Sequence, residues 1–197
     1  MQIISHRRNL ISELKETEIK YGVEVDIRVS NSKLICQHDP LVNGPLFTDW
    51  LREYRHKTLI LNVKEEGIEH LVLEEITKFG ISDYFFLDQS FPYLLKNAKN
   101  GLRNAAVRVS EFENIETALS LAGLVDWVWV DIFSKFPLDQ TEISRLRNAG
   151  FKICVVSPEL HGVMDENLVI ELRNQFAFMD FIPDAVCTKF GHLWEEK

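Results

Sequence analysis

Regular alternation between two kinds of segment is the feature that most constrains how this chain can fold. Short runs rich in Val, Ile, Leu, Phe and Trp recur throughout the 197 residues, and segments with helical periodicity separate them. The runs predict strands at residues 2–5, 22–28, 58–63, 84–87, 105–109, 127–131, 151–156 and 184–188. A further run at 33–36 follows the second strand closely, and it is either the hairpin partner of that strand or an extension of it.

The segments between the strands have the features of helices. Several end in glycine, which helix C-termini prefer: Gly22, Gly80, Gly101, Gly123 and Gly150. Eight strands that alternate with helices predict a parallel sheet covered by helices. An open doubly wound sheet is the competing architecture, but no Gly-rich dinucleotide fingerprint follows the first strand. We therefore predict an α/β fold, a compact (β/α)8 TIM barrel, formed by a single domain over residues 1–197.

Composition narrows the possible partners and the compartment. The formal net charge of −8 argues against a nucleic-acid-binding protein, which would usually carry a basic surface. Cys36, Cys154 and Cys187 are far apart and lie in apolar runs, as expected of buried thiols in a reducing compartment. The first ten residues contain no apolar signal-peptide core, and no run is long enough to span a membrane. We expect a cytoplasmic protein that acts on a small molecule.

Two pairs of polar residues interrupt the strands with the spacing of one sheet face. Glu24 and Asp26 are two residues apart in the second strand, so their side chains project together, and Asn62 and Lys64 form a second such pair. Neighbouring carboxylates repel each other unless a cation or a proton lies between them. A solvent-facing strand edge, where paired acids are common and inert, is the alternative explanation.

Two histidines follow strands at the same predicted end of the sheet. His6 and Arg7 follow the first strand, and His38 and Asp39 follow the 33–36 run. In a barrel of this type, chemistry takes place at the C-terminal ends of the strands. Two carboxylates and an amide oxygen suit Mg²⁺ or Ca²⁺, and arginine and lysine suit a phosphate. Two histidines can serve as general acid and general base, although each residue taken singly also has an ordinary structural explanation.

At these residues the sequence resembles the glycerophosphodiester phosphodiesterase family, within the broader group of phosphatidylinositol-phospholipase-C-like barrels. The family's His-Arg-Gly, Glu-x-Asp, His-Asp and Glu-x-Lys motifs are similar to His6-Arg7-Arg8, Glu24-Val25-Asp26, His38-Asp39 and Asn62-Val63-Lys64. The resemblance is strong over residues 3–64 and general beyond them. Arg8 replaces a glycine and Asn62 replaces a carboxylate. The stretch between His38 and Asn62 has no room for the family's usual insertion, so the chain is similar to a short member.

The resemblance implies a single phosphodiesterase-like TIM-barrel domain that hydrolyses a glycerophosphodiester-like substrate in lipid metabolism. It implies a divalent cation, Mg²⁺ or Ca²⁺, as the cofactor. The expected site residues are His6 and His38 as acid and base, Arg7 and Lys64 for the phosphate, and Glu24, Asp26 and Asn62 for the metal. Which histidine is the acid and which the base stays open.

Two other functions are compatible with the same residues. A catalytically degenerate barrel would bind a phosphorylated ligand without turnover, and Arg8 and Asn62 support that possibility. A sugar-phosphate isomerase or aldolase would use Lys64 as a Schiff-base lysine, but nearby carboxylates would keep this amine charged. Later in the chain, Arg108 and Asp131 are candidate substrate or supporting contacts at strand ends.

Overall fold

Strands and helices alternate along the chain in a computed structural model, which describes residues 1–162 and 164–195. The strands are β1 (Gln2–Ser5), β2 (Gly22–Ser30), β3 (Lys33–Cys36), β4 (Leu59–Val63), β5 (Tyr84–Leu87), β6 (Ala106–Val109), β7 (Trp127–Val130), β8 (Lys152–Val156) and β9 (Ala185–Thr188). The helices are α1 (Ile11–Glu16), α2 (Phe47–Glu53), α3 (Glu69–Lys78), α4 (Phe91–Lys99), α5 (Ile115–Leu119), α6 (Gln140–Asn148), α7 (Glu166–Phe178) and α8 (Gly191–Trp194). A 3-10 helix, Pro158–His161, follows β8.

The eight predicted strands form a parallel sheet in the order β5-β4-β2-β1-β9-β8-β7-β6. With helices between successive strands, the fold is the predicted compact (β/α)8 TIM barrel. β3 pairs with β2 in the antiparallel direction, so the 33–36 run is a hairpin partner and not an extension. That residues 1–197 form one domain stays a prediction, because the chain divides into two compact units, Ser5–Asn97 and Met1–Ile4 with Ala98–Lys197.

Within the Ser5–Asn97 unit, the register of β2 and β4 determines which side chains become neighbours. The two strands run parallel, with Val23 opposite Leu59 and Asp26 opposite Asn62. Val23, Val25 and Ile27 of β2 and the apolar side chains of β4 are buried, because the strands lie in the interior of the sheet. The polar residues of the two strands are therefore held side by side in the protein interior.

In the second unit, β6 to β9 continue the parallel ladder, with Arg108 opposite Trp129 and Trp129 opposite Cys154. Phe136, Phe176 and Phe181 pack their rings at 4.9 to 5.8 Å in its core. All three cysteines of the chain are buried free thiols, as predicted.

The structure corrects one predicted helix end. Gly22 begins β2 and does not follow a helix. The preceding helix, α1, already ends at Glu16, where the Thr17 hydroxyl bonds to the carbonyl of Glu13 and residues 18–21 form a turn. Gly80 and Gly150 do follow α3 and α6 in the left-handed region, with φ of 68° and 89°. None of the helices in the described part of the chain is both long and apolar enough to cross a membrane.

Candidate active site

The predicted carboxylate pair lies in the interior of the Ser5–Asn97 unit. Glu24 and Asp26 are 1% and 0% exposed, so the alternative of a solvent-facing strand edge is wrong. Asn62 is buried beside them because it lies opposite Asp26 in the ladder, and its Nδ2 donates a 2.7 Å hydrogen bond to Glu24 Oε1. The spacing of two residues along β2 and the parallel register with β4 together build this cluster.

Glu24 does not behave as an ordinary carboxylate. Burial, followed by the charge of Asp26, raises its pKa to about 8, although hydrogen bonds from Asn62 and Arg7 and the charge of Lys64 act in the opposite direction. At neutral pH and without a bound cation, Glu24 is therefore largely protonated. A carboxyl group in this state is poised to release a proton when a positive charge arrives.

Two basic side chains contact the pair. Lys64 Nζ lies 3.2 Å from Asp26 Oδ1 and 2.7 Å from Asp88 Oδ2, and Arg7 Nε lies 3.4 Å from Asp26 Oδ2. Both ion pairs occupy the Lys64 amine, which a Schiff-base role would require to be available to a carbonyl substrate. The Arg7 side chain is 43% exposed, so it also reaches solvent.

The loop after β1 wraps around the carboxylates through its backbone. Arg7 adopts a left-handed conformation with φ of 52°, and its N–H donates a 2.6 Å bond to Glu24 Oε2. Arg8, which stands where the family that the sequence resembles has glycine, donates its N–H to the carbonyl of Glu24, and its own carbonyl accepts a bond from Trp50 Nε1. In this loop the left-handed residue is Arg7, so a glycine is not needed at position 8.

Asn9 is a further residue of the candidate site, and the sequence did not predict it. It is buried, and its Nδ2 donates to Asp26 Oδ2 at 2.8 Å while its Oδ1 accepts from the Asp26 N–H at 2.9 Å. The only sequence signal for this role is its position three residues after His6, in a loop that follows a strand.

The two histidines are held differently. His6 Nε2 lies 3.8 Å from Glu24 Oε2, beside the carboxylate pair. His38 Nδ1 lies 2.8 Å from Asp39 Oδ1, and its carbonyl accepts two bonds from the Arg28 guanidinium. The hydrogen bond with His38 lowers the pKa of Asp39. His6 therefore lies beside the buried carboxylates, whereas His38 is held by Asp39 and Arg28.

The donor atoms present fit a hard cation. Asp26 Oδ1 and Asn62 Oδ1 are buried and accept no hydrogen bond from the described residues, although Lys64 Nζ faces the former. With Glu24 they form a set of oxygen ligands of the type that Mg²⁺ and Ca²⁺ prefer. Among residues 1–162 and 164–195, no group of three or more His, Cys, Asp or Glu side chains is arranged to hold a metal. In the candidate site, the third oxygen ligand would come from the amide of Asn62.

Fold and site define a (β/α)8 barrel with a buried carboxylate pair, an amide and two basic side chains at its strand ends. No protein-family model and no curated protein matches the chain. Solved structures do match it. A glycerophosphodiester phosphodiesterase from Agrobacterium tumefaciens str. C58 is 16% identical, with a TM-score of 0.65 over 98% of this chain and 97% of that chain.

Two further structures show how far this likeness extends. A glycerophosphoryl diester phosphodiesterase from Parabacteroides distasonis is 14% identical, with a TM-score of 0.66 over 95% of this chain and 82% of that chain. A mutant tryptophan synthase α-subunit from Pyrococcus furiosus is 13% identical, with a TM-score of 0.59 over 97% of this chain and 88% of that chain. The resemblance predicted from the sequence is thus confirmed as a likeness of fold. Because barrels share their fold across unrelated reactions, the function has to be argued from the site.

Proposed function

We propose that this protein is a phosphoric diester hydrolase that acts on a glycerophosphodiester-like small molecule, with Glu24, Asp26 and Asn62 holding Mg²⁺ or Ca²⁺. The observation that carries the proposal is the buried pair Glu24 and Asp26 in contact with Arg7 and Lys64. Such a site offers oxygen ligands to a cation and basic side chains to an anion in the same place. A metal-bound phosphodiester needs both.

The basic side chains have distinct parts in this reaction. When bound, the divalent cation neutralises charge on a non-bridging phosphate oxygen. Arg7 binds a second phosphate oxygen, for which its partly exposed guanidinium is available. Lys64, positioned by Asp26 and Asp88, stabilises the charge that develops as the phosphorus becomes pentacoordinate.

His6 and His38 supply the proton transfers. One imidazole removes a proton from the attacking water, whose oxygen forms the new bond to phosphorus. The other donates a proton to the oxygen of the departing alcohol as its bond to phosphorus breaks. The contacts of His6 with Glu24 and of His38 with Asp39 support these roles, because a neighbouring carboxylate orients an imidazole ring.

A phosphorus NMR assay tests this function. Purified protein is incubated with a panel of glycerophosphodiesters in Mg²⁺, in Ca²⁺ and in EDTA, with the His38→Ala variant in parallel. We expect turnover that disappears with EDTA and with the variant. Folded protein that cleaves no diester in either metal, or that cleaves equally well in EDTA, would contradict the proposal.

The degenerate barrel is the second candidate. It is favoured by one observation, that Asn62 donates to Glu24 where a third carboxylate would repel it. Metal binding without turnover in the same assay would favour this candidate. A cytoplasmic location and a part in lipid metabolism belong to the main proposal, and the buried free thiols support a reducing compartment.

A further inference from the structure

A second cluster of charged side chains lies in the Ala98–Lys197 unit, at the C-terminal ends of β6, β7 and β8. Its centre is Asp131, which is 2% exposed. Arg108 donates to Asp131 Oδ2, and His161 Nε2 lies 3.2 Å from Oδ1, which also accepts a bond from Trp129 Nε1. The side chains of Arg108 and His161 are 34% and 25% exposed. A buried carboxylate therefore orients two basic side chains that both reach solvent.

Two exposed aromatic rings continue this cluster. The Phe133 ring packs against the His161 ring with centroids 4.6 Å apart, and Phe112 lies 5.8 Å from Phe133. Phe133 is 49% exposed and Phe112 is 82% exposed. Both rings therefore keep apolar surface in contact with water, which costs free energy. A neighbouring ring from a ligand would recover part of this free energy, because aromatic groups stack favourably at such distances.

The loops that present these rings are fixed by hydrogen bonds. The carboxylate of Glu111 accepts from the N–H groups of Phe133, Ser134 and Lys135 at 3.2, 2.6 and 2.8 Å. Residues 110–113 are fixed as well, because Ser110 Oγ accepts from the N–H groups of Phe112 and Glu113. The two phenylalanines are therefore displayed by ordered loops, so that little conformational entropy would be lost when a ligand binds.

We propose that this cluster is a binding site for an organic anion that carries an aromatic or heterocyclic ring. Arg108 and His161 contact the phosphate or carboxylate of the ligand, and Phe112 and Phe133 stack on its ring. Asp131 offsets the charge of one of the two basic side chains and orients both of them. The site lies wholly in the Ala98–Lys197 unit, and binding there does not depend on the phosphodiesterase chemistry proposed above.

Calorimetry with phenyl phosphate tests this site, with inorganic phosphate and phenol as the separate halves of the ligand. We expect phenyl phosphate to bind about tenfold more tightly than either half. Arg108→Gln should weaken its binding about tenfold, and Phe112→Ser severalfold. Arg103→Gln and Phe178→Ser are the matched controls and should bind normally. Arg103 forms a comparable ion pair with Asp126, and Phe178 is 90% exposed on α7.

Three results would overturn the proposal. They are equal binding of phenyl phosphate and inorganic phosphate, wild-type affinity in Phe112→Ser, and loss of binding in Glu24→Gln, which would assign the ligand to the other unit. If circular dichroism shows that Arg108→Gln does not fold, His161→Asn takes its place, since His161 is the other basic side chain that contacts Asp131. A protein that hydrolyses no diester but binds phenyl phosphate as described would refute the proposed function alone.

Discussion

The two units of the chain treat their acidic side chains in opposite ways. In the Ser5–Asn97 unit, burial and the neighbouring Asp26 raise the pKa of Glu24 to about 8. In the other unit, desolvation also acts to raise the pKa of Glu111, but backbone N–H groups at Lys135, Glu111 itself, Ser134 and Phe133 outweigh it and bring the pKa to about 2. A carboxylate surrounded by donors holds loops together, whereas we propose that Glu24, beside another carboxylate, is held for a ligand.

Asp26 and Asp131, which are both buried, differ in how many of their carboxylate oxygens accept hydrogen bonds. Each has two basic neighbours, yet both oxygens of Asp131 accept hydrogen bonds, while Asp26 Oδ1 accepts none from the described residues. Asp131 is thus satisfied within its own unit and acts by orienting Arg108 and His161. Asp26 Oδ1 faces Lys64 Nζ, and it is the oxygen atom that we propose for the cation.

The largest loss of activity is expected when either of the two candidate catalytic histidines in the Ser5–Asn97 unit is replaced. We expect His6→Ala and His38→Ala each to lower kcat about 10²- to 10⁴-fold, because each removes one proton transfer from the reaction. Thermal unfolding should be nearly unchanged for His38→Ala, whose side chain is 37% exposed. His70→Ala, on the exposed side of α3, is the control and should keep full activity. Wild-type rates in either variant would exclude that histidine from the chemistry.

A smaller effect is expected when the missing carboxylate is restored. Asn62→Asp adds a negative charge to the oxygen cluster, and it should tighten Ca²⁺ binding roughly tenfold by calorimetry. Asn100→Asp introduces the same charge at an exposed position and should leave the affinity unchanged. If Asn62→Asp binds Ca²⁺ no better than the wild type, the cluster is not the metal site.

The smallest expected effect is a change in stability when Glu111, in the Ala98–Lys197 unit, is replaced. Glu111→Gln should lower the free energy of unfolding by about 1–2 kcal/mol at pH 7, because a neutral amide accepts the backbone N–H groups less strongly. The folded pKa of about 2 is below the ordinary value of 4.5, so this contribution is complete above pH 4.5 and is lost as the pH falls towards 2. Denaturant unfolding across this range should show the wild type converging on the variant. Glu171→Gln, at an exposed position on α7, should show no such convergence.

The sequence was sufficient to predict the barrel and the core of the candidate site. Alternating segments determine the parallel sheet, and a spacing of two residues puts Glu24 and Asp26 on one face. A parallel register then brings Asn62 to Asp26. These inferences depend only on strand geometry, which short apolar runs reveal well.

The loops could not be predicted in the same way. Asn9 reaches Asp26 only because the chain turns through a left-handed Arg7, which no local propensity favours. Arg28 holds His38 across the β2–β3 hairpin, a contact that depends on the register of two strands and the path of the following loop. Such contacts come from the tertiary structure, so spacing along the chain gives no sign of them.

The pH dependence of unfolding for Glu24→Gln tests the central contrast most directly. The raised pKa of Glu24 means that the stability it contributes is present below pH 4.5 and is lost as the pH rises to about 8. The variant has no such loss, and Asn62 can rotate its amide to accept a bond from the new side chain. With EDTA present, the free energy of unfolding of Glu24→Gln should rise relative to that of the wild type by at least about 1 kcal/mol between pH 5 and pH 8. Parallel stability profiles, or a variant that is less stable at pH 8, would contradict the claim that Glu24 is held for a ligand.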